Sequence, residues 1–324
     1  MWENYKRYDT YILKIQEGEE YFADYRGKVN FTAQQSLLAS ELRMDLNQSA
    51  QKTLIQRWLN ISGKEIWAEA DWYFSLDRQI VQTVVDKTAG TVDISAGATA
   101  VTGTSTSFES TDVGSFIKFS FSSDWYKITA VGGATSLTIE IAYVGTSNLS
   151  AGTYTIRKMF YSLGSNVERI LTARQAVSPT FMDMVHYRDF DIYRPNPTST
   201  GNPNSLVVYG LDSGNNMQFT LHPFPDVIEN IEIRYKKTYT DLSADADISL
   251  IPAKWHETVM IDGAICRGFH YQSTGQPAEE SRAMFARKVF IAGLEKMKAQ
   301  QDVDSGRHDV IESRDKTLTT TGPL

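Results

Sequence analysis

The 324-residue chain has one cysteine, Cys266, so it cannot form an internal disulfide, and a lone thiol suits a reducing compartment. It also has no apolar run near the roughly 18 residues that a membrane-crossing helix needs. Its first twenty residues lack the apolar stretch and small-residue cleavage site of a secretory signal. We therefore expect a protein made in the cytoplasm that has no membrane partner.

Recognisable catalytic motifs are also missing. The sequence has no glycine-rich phosphate loop ending in Lys-Ser or Lys-Thr, no G-x-S-x-G and no H-E-x-x-H. Its five histidines are scattered, and His256 and His270 are too far apart along a helix to share a metal. The segment SADADIS resembles the start of a calcium loop, but the loop's glycine and closing glutamate are absent, which favours a simple turn. We predict no enzyme activity, no metal and no cofactor.

Asp189 and Asp191, in the stretch RDFDI, are the one pair of carboxylates that suggests chemistry. On a strand, alternation places both on one face, as a glycan-cleaving pair requires. The simpler interpretation is that they anchor the proline-rich loop that follows, and we predict this role for both.

The net charge is −7, from 32 basic and 39 acidic residues. A protein that grips nucleic acid needs a basic face, and the overall charge argues against one without excluding a local patch.

Hydrophobic periodicity divides the chain into helical ends and a β-rich middle. Residues 31–72 have apolar side chains at helical spacing, and Thr32 with Gln35 predicts a capping box at the start. From residue 74 to residue 237 the period changes to two, as in Ile231, Ile233 and Tyr235, and helical spacing returns from residue 253. The predicted fold is α+β: a helical bundle from both chain ends, with a central β region carrying an inserted small β-sandwich or barrel module.

Three stretches of sequence carry a family resemblance. The segment IWAEADWYF ends the first helical region, and DFDIYRPNPTSTGNPNSLVVYG with LHPFP and IEIRYKK forms the β segment. The stretch DLSADADISLIPAKWHETVMIDGAI opens the last helical region. In this order they resemble the head-to-tail adaptor, or connector, proteins of tailed bacteriophages, especially short-tailed ones. The resemblance covers residues 50–82 and 159–300.

The resemblance implies a structural virion protein at the head–tail interface, assembled in the host cytoplasm. Its expected partners are the portal protein above, a nozzle or tail-tube protein below, and copies of itself in a ring, usually of twelve. Genomic DNA would pass through the ring without sequence-specific binding. Two alternatives remain: a tail-associated protein that binds or cleaves carbohydrate through Asp189 and Asp191, and a β-rich interaction module unrelated to phages.

The resemblance also predicts the domain organisation. Residues 1–30 are expected to be an N-terminal extension, residues 31–87 and 156–303 the adaptor core, and residues 88–155 an inserted β module rich in threonine and glycine. Residues 304–324 are expected to be a C-terminal tail, polar except for a few apolar groups. The tail is the candidate portal-docking element, and its candidate contact residues are Val310, Ile311, Arg314 and Leu318.

Overall fold

The computed structural model describes residues 23–24, 28–177, 181–193, 198–273 and 277–304. The chain divides into two compact units. A helical unit contains residues 1–76 and 239–324, and a β unit contains residues 77–238.

The helical unit begins with a short antiparallel pair, β1 (Ala23–Asp24) and β2 (Lys28–Val29). Helices α1 (Phe31–Leu42) and α2 (Ser49–Glu69) follow. The Asn30 side chain caps α1 by accepting a hydrogen bond from the Ala33 N–H at 2.9 Å. The predicted Thr32 capping box is therefore wrong, and the Thr32 hydroxyl donates instead to the Asp245 carbonyl at 3.0 Å.

The chain returns to this unit after residue 238 and changes its helical form several times. A 3-10 turn (Ala253–Trp255) leads into a π-helical turn (His256–Ile261), which continues as α4 (Asp262–Gln272). The long helix α5 (Pro277–Asp304) follows. The helix between α2 and α4, α3 (Tyr187–Tyr193), belongs to the β unit. Helices from both segments share one hydrophobic core, in which Leu38, Leu59, Ala264 and Phe290 are buried. Gly263 allows close contact, because a Cβ there would collide with Ser62 and Phe290.

The β unit contains a single seven-stranded antiparallel sheet between residues 91 and 157. Its strands are β4 (Thr91–Ile94), β5 (Ala100–Thr104), β6 (Phe116–Phe119), β7 (Trp125–Gly133), β8 (Ser136–Ile139), β9 (Leu149–Gly152) and β10 (Tyr154–Arg157). The order across the sheet is β10-β6-β7-β8-β5-β4-β9. The two outer strands are separated in sequence only by Thr153, so the sheet curls into a half-barrel. Its concave face holds its own core, which includes Val92, Ile117, Ile128 and Ile156.

Two smaller sheets complete the β unit. The first is a four-stranded sheet, in the order β11 (Tyr161–Ser162), β15 (Met217–His222), β14 (Ser205–Leu211) and β13 (Asp183–His186). The helix α3 (Tyr187–Tyr193) follows β13. The second is a three-stranded sheet, in the order β12 (Val167–Gln175), β16 (Asn230–Lys237) and β3 (Leu76–Gln82). Tyr161, Phe219, Ile231 and Ile233 are buried in one core that both sheets share.

The predicted fold class is wrong. The protein is a β-rich fold with sheets of seven, four and three strands, rather than a helical bundle built from both chain ends. Helices α1 and α4 have only 12 and 11 residues, and the helical spacing that the sequence suggested through Leu46 stops at Arg43, whose φ is +54°. The inserted module was predicted to be a sandwich or a barrel; it is one curled sheet that forms a half-barrel, and not a two-sheet sandwich. Alternation of apolar residues predicts one buried face per strand, but it does not specify how strands divide between sheets.

Candidate interaction surfaces

A cleft of about 560 Å³ lies on the helical unit between α2, α4 and α5. Trp58 and Tyr271 contribute aromatic rings to its wall, with centroids 5.5 Å apart and planes tilted by 56°. Leu54 and Ile61 add aliphatic surface. Such a cleft can accept an apolar side chain of another protein, because aromatic walls offer large contact areas at a low cost in conformational entropy.

Charged side chains surround this cleft. Glu65 accepts hydrogen bonds from Arg267 and from Arg287, the latter at 3.2 Å between Nη1 and Oε2. Arg57 also lines the cleft. Two guanidinium groups therefore contact one carboxylate, and with Arg57 the rim has three arginines against one glutamate, a net positive charge that suits an acidic group on a partner.

The structure shows the surroundings of two residues named above, His256 and the single cysteine, Cys266. His256 is fully buried: its Nδ1 lies 3.2 Å from Gln34 Nε2 and its Nε2 lies 2.7 Å from the Ile251 carbonyl. Burial lowers the pKa of His256, so the neutral ring accepts from Gln34 and donates to Ile251. Cys266 lines the cleft, and burial raises the pKa of its thiol, which makes the thiolate scarce at neutral pH.

The outer side of α5 presents apolar side chains to solvent. Met284 and Phe285 are 61% and 70% exposed, and Ile291 is also exposed. Met284 and Ile291 are seven residues apart and so lie on the same face of the helix. Exposed apolar groups grouped in this way are typical of a protein–protein interface.

Asp189 and Asp191 lie on α3 and not on a strand. Residues two apart on a helix point in different directions, so the paired-carboxylate arrangement on one strand face does not occur. Asp191 accepts a hydrogen bond from the Tyr209 hydroxyl at 3.0 Å. Burial, followed by this bond, raises the pKa of Tyr209 to about 12. Part of the loop that these residues were predicted to anchor, at residues 194–197, lies outside the described residues, so that role stays a prediction.

The segment containing Asp245 and Asp247 forms a turn closed by its own side chains. Asp247 accepts hydrogen bonds from the backbone N–H groups of Ser243 and Ala244 at 2.7 and 2.8 Å, and these bonds lower the pKa of its carboxyl. Asp245 pairs with Lys52 at 3.2 Å. Within the described ranges, no group of three or more histidine, cysteine or acidic side chains could hold a metal ion.

One charged surface was not found from the sequence. Arginines from three different strands of the sheet β12-β16-β3 surround Glu232, whose nearest partner is Arg174 at 2.7 Å. Arg174 and Glu232 are 58 residues apart, so their proximity depends on the strand register. The only sequence signal is the alternation of charged residues in the stretch EIRYK.

The predicted portal-docking residues Val310, Ile311, Arg314 and Leu318 lie outside the described residues, as does most of the N-terminal extension. In the part of the chain that the structure covers, no helix is both long and apolar enough to cross a membrane.

Apolar and charged faces spread over helices and sheets are typical of proteins that act by binding other proteins in an assembly. A family model described as SU10 adaptor protein matches residues 32–311, which is well over half of the chain, so the protein belongs to that family. The resemblance found in the sequence is thereby confirmed. No curated protein matches the sequence. Membership makes the chain a structural phage adaptor and a virion component, with partners among phage portal and tail proteins.

Proposed function

We propose that the protein forms a ring of twelve copies beneath the phage portal and links the portal to the tail. The ring lines the channel through which DNA leaves the head, and the protein performs no catalytic turnover. The family match carries this proposal, because it extends over both compact units and the curled sheet.

Two surfaces of the helical unit support contacts between subunits or with the portal. The cleft between α2, α4 and α5 combines aromatic walls with a net positive rim. The outer side of α5, with Met284 and Phe285, offers apolar area to a neighbouring chain. A ring needs two different complementary surfaces on each subunit, since its contacts run head to tail around the axis.

We propose the same domain organisation that the resemblance implies, with an adaptor core of residues 31–87 and 156–303 and an insert of residues 88–155. The backbone at the insert's ends supports it. Lys87 and Ile156 exchange two hydrogen bonds of 2.9 Å, so the chain leaves and re-enters the core at adjacent positions. In this proposal the insert contacts the tail protein below the ring.

The tail of residues 304–324 is proposed to dock on the portal through Val310, Ile311, Arg314 and Leu318. Its composition supports this, because few apolar groups in a polar segment can act as anchors when the segment binds a partner.

The carbohydrate alternative gains no support from the geometry. Its carboxylates lie on different faces of α3, and the Trp125 ring, which a sugar would need, is covered by Arg157 at 5.1 Å and Lys118 at 5.8 Å. If both residues anchor the loop that follows, as we propose, Asp189→Asn and Asp191→Asn are expected to alter folding or assembly, and reproducible glycan cleavage that either substitution abolished would contradict this assignment.

Truncation after Asp304 tests the docking role of the tail. The cut keeps Gln301, which bonds the Tyr73 N–H and the Asp71 carbonyl, so the end of α5 is preserved. We expect a folded protein that no longer co-elutes with purified portal in size-exclusion chromatography. A matched chain with residues 305–324 in scrambled order should fail in the same way. Equal binding by the truncated and full chains would contradict the assignment.

A further inference from the structure

The cleft between α2, α4 and α5 carries more positive charge than its own residues neutralise. Among the described residues that line it, Glu65 is the only acidic one, and its two oxygens face Arg267 and Arg287. Arg57 lines the same cleft, is exposed and has no ion pair with any described residue. Three guanidinium groups against one carboxylate leave two net positive charges beside the aromatic wall. Each guanidinium has five N–H donors, so a single carboxylate leaves most of these donors available.

The N-terminal part of the chain contains a segment of complementary composition. Residues 11–20 read YILKIQEGEE, with three aliphatic residues followed by three glutamates: Ile12, Leu13, Ile15, Glu17, Glu19 and Glu20. With Lys14 the segment has a net charge of −2, equal and opposite to that of the cleft. Aliphatic groups can cover aromatic rings while carboxylates bind arginines. Residues 305–324, at the other end of the chain, have three basic and three acidic side chains and so do not match the charge of the cleft.

The segment joins the described chain close enough to the cleft to reach it. The antiparallel pairing of β1 with β2 returns the chain before β1 to the start of α1. There the Thr32 N–H donates to the Asp245 carbonyl at 3.2 Å. The Asp245 carboxylate pairs in turn with Lys52 on α2, two residues before Leu54 of the cleft. A helix is about 10 Å across, so the path around α2 to the cleft is about 15 Å. Residues 16–22 alone can extend about 23 Å.

We propose that residues 11–20 bind the cleft of their own subunit. The aliphatic side chains of the segment cover the ring pair of Trp58 and Tyr271, and its glutamates bind the arginines of the rim. The covalent link holds the segment at an effective concentration of about 1 mM, so a weak contact is enough to cover the cleft. The inference concerns a single subunit and goes beyond the ring, because a subunit or portal contact at the cleft then has to displace the segment.

An acidic surface on a second protein is the other occupant with the right charge. The segment is favoured because it combines aliphatic residues with carboxylates and is always present beside the cleft. The two occupants differ in their dependence on concentration. A contact within one chain covers the cleft equally at every protein concentration, whereas a contact between chains is lost on dilution.

Cys266 gives a direct measurement of access to the cleft, because it lines the cleft and is the only cysteine of the chain. The test is the rate of maleimide labelling of the dilute full chain and of a chain that lacks residues 1–20, followed by mass spectrometry at one pH. With a dissociation constant of about 0.2 mM for the segment, the deletion should speed labelling about sixfold. A synthetic peptide of residues 9–22 at millimolar concentration should slow labelling of the shortened chain again, and a peptide of scrambled order should not.

Charge reversal identifies the two sides of the contact. Arg57→Glu in the full chain should speed labelling several-fold, and Glu19→Lys with Glu20→Lys should do the same. Combined, the three substitutions should label more slowly than the product of the separate effects, because they restore an opposite-charge pair. None of them removes a described contact, so folding should be preserved. In the shortened chain Arg57→Glu should have little effect, which separates loss of the segment from a direct effect on the thiol.

The matched control is Arg282→Glu, an exposed residue of α5 that does not line the cleft, and it should label as the unmodified chain does. Three results would overturn the proposal: labelling that is unchanged by the deletion, equal protection by the ordered and scrambled peptides, or protection in the full chain that disappears on dilution. The last result would assign the cleft to a second copy of the chain. None of these measurements depends on the ring, which microscopy with the portal tests separately.

Discussion

Arg157 holds the carboxylate of Asp86 with hydrogen bonds from Nε to Oδ1 at 2.9 Å and from Nη2 to Oδ2 at 2.6 Å. The same guanidinium lies between two rings, 5.1 Å from Trp125 and 4.9 Å from Phe224. Trp125 belongs to the curled sheet and Phe224 follows the four-stranded sheet, so one side chain joins the insert to the rest of the β unit. Both members of the ion pair are largely buried, so each charge depends on the other for the stabilisation that water would otherwise supply.

Removing this side chain should destabilise the protein. Arg157→Ala leaves Asp86 partly buried without its main partner, and we expect a loss of about 2 to 3 kcal/mol in the free energy of unfolding. Arg157→Lys should recover only part of this loss, because an ammonium cannot form the bidentate contact. Urea unfolding followed by tryptophan fluorescence gives the values. Lys127→Ala is the control, since the pair of Lys127 with Glu140 is half exposed, and its effect should stay within about 0.5 kcal/mol. Similar losses in Arg157→Ala and Lys127→Ala would contradict this account.

Gly63 should not tolerate a side chain. A Cβ at this position on α2 would overlap the ring and hydroxyl of Tyr239, which is partly buried and packs against Trp67 at a centroid distance of 5.7 Å. Alanine normally stabilises a helix by about 1 kcal/mol relative to glycine, but here the collision should produce a net loss of about 1 to 3 kcal/mol. Combining Gly63→Ala with Tyr239→Leu removes the colliding atoms, so the two effects should be less than additive. Strict additivity in thermal unfolding would show that the two sites do not touch.

Asp262 should make the helical unit less stable as pH rises. Burial, with a smaller contribution from Glu41, raises the pKa of Asp262 to about 7. Between its usual value of 3.8 and 7 the folded state binds more protons than the unfolded state, so stability falls as pH increases across that window. Asp262→Asn should therefore gain about 2 kcal/mol over the unmodified protein at pH 8 and little at pH 4.

His256 acts in the opposite direction and must be separated from Asp262. Its lowered pKa means that stability is full above 6.5 and is lost as pH falls through the folded value. Urea unfolding of Asp262→Asn at several pH values isolates the histidine, and stability should then only rise with pH between 4 and 7. An unchanged pH profile in this variant would show that Asp262 is ionised in the folded protein.

The curled sheet should fold by itself. A fragment of residues 87–157 retains the whole seven-stranded sheet and its buried core, including Ile156. We expect a cooperative thermal transition in near-ultraviolet circular dichroism. The remaining chain, with residues 88–155 replaced by a short glycine-serine linker, should also fold, because Lys87 and Ile156 are already hydrogen-bonded neighbours. A fragment without a cooperative transition would show that the sheet needs the rest of the β unit.

Local features were predictable where one residue's environment depends on its neighbours in sequence. The alternation of Ile231, Ile233 and Tyr235 predicted a strand with one buried face, and all three are buried. The stretch around Asp189 was misassigned because two acidic residues flanking Phe190 match both a strand period and a short helix.

Features that depend on long-range pairing could not be predicted. The division of strands into three sheets and the gathering of arginines around Glu232 both require the register between segments far apart in the chain. Alternation shows which side chains share a face of their own strand, but it does not identify the neighbouring strand. The family resemblance was recoverable because it rests on contiguous stretches such as IWAEADWYF.

The most direct test of the central claim is cryo-electron microscopy of the purified protein mixed with its portal. We expect a closed ring of this protein, coaxial with the portal and attached to its lower end, with an open channel along the axis. Protein that stays monomeric beside intact portal rings, or that binds the portal at a site away from the axis, would contradict the assignment of a connector between head and tail.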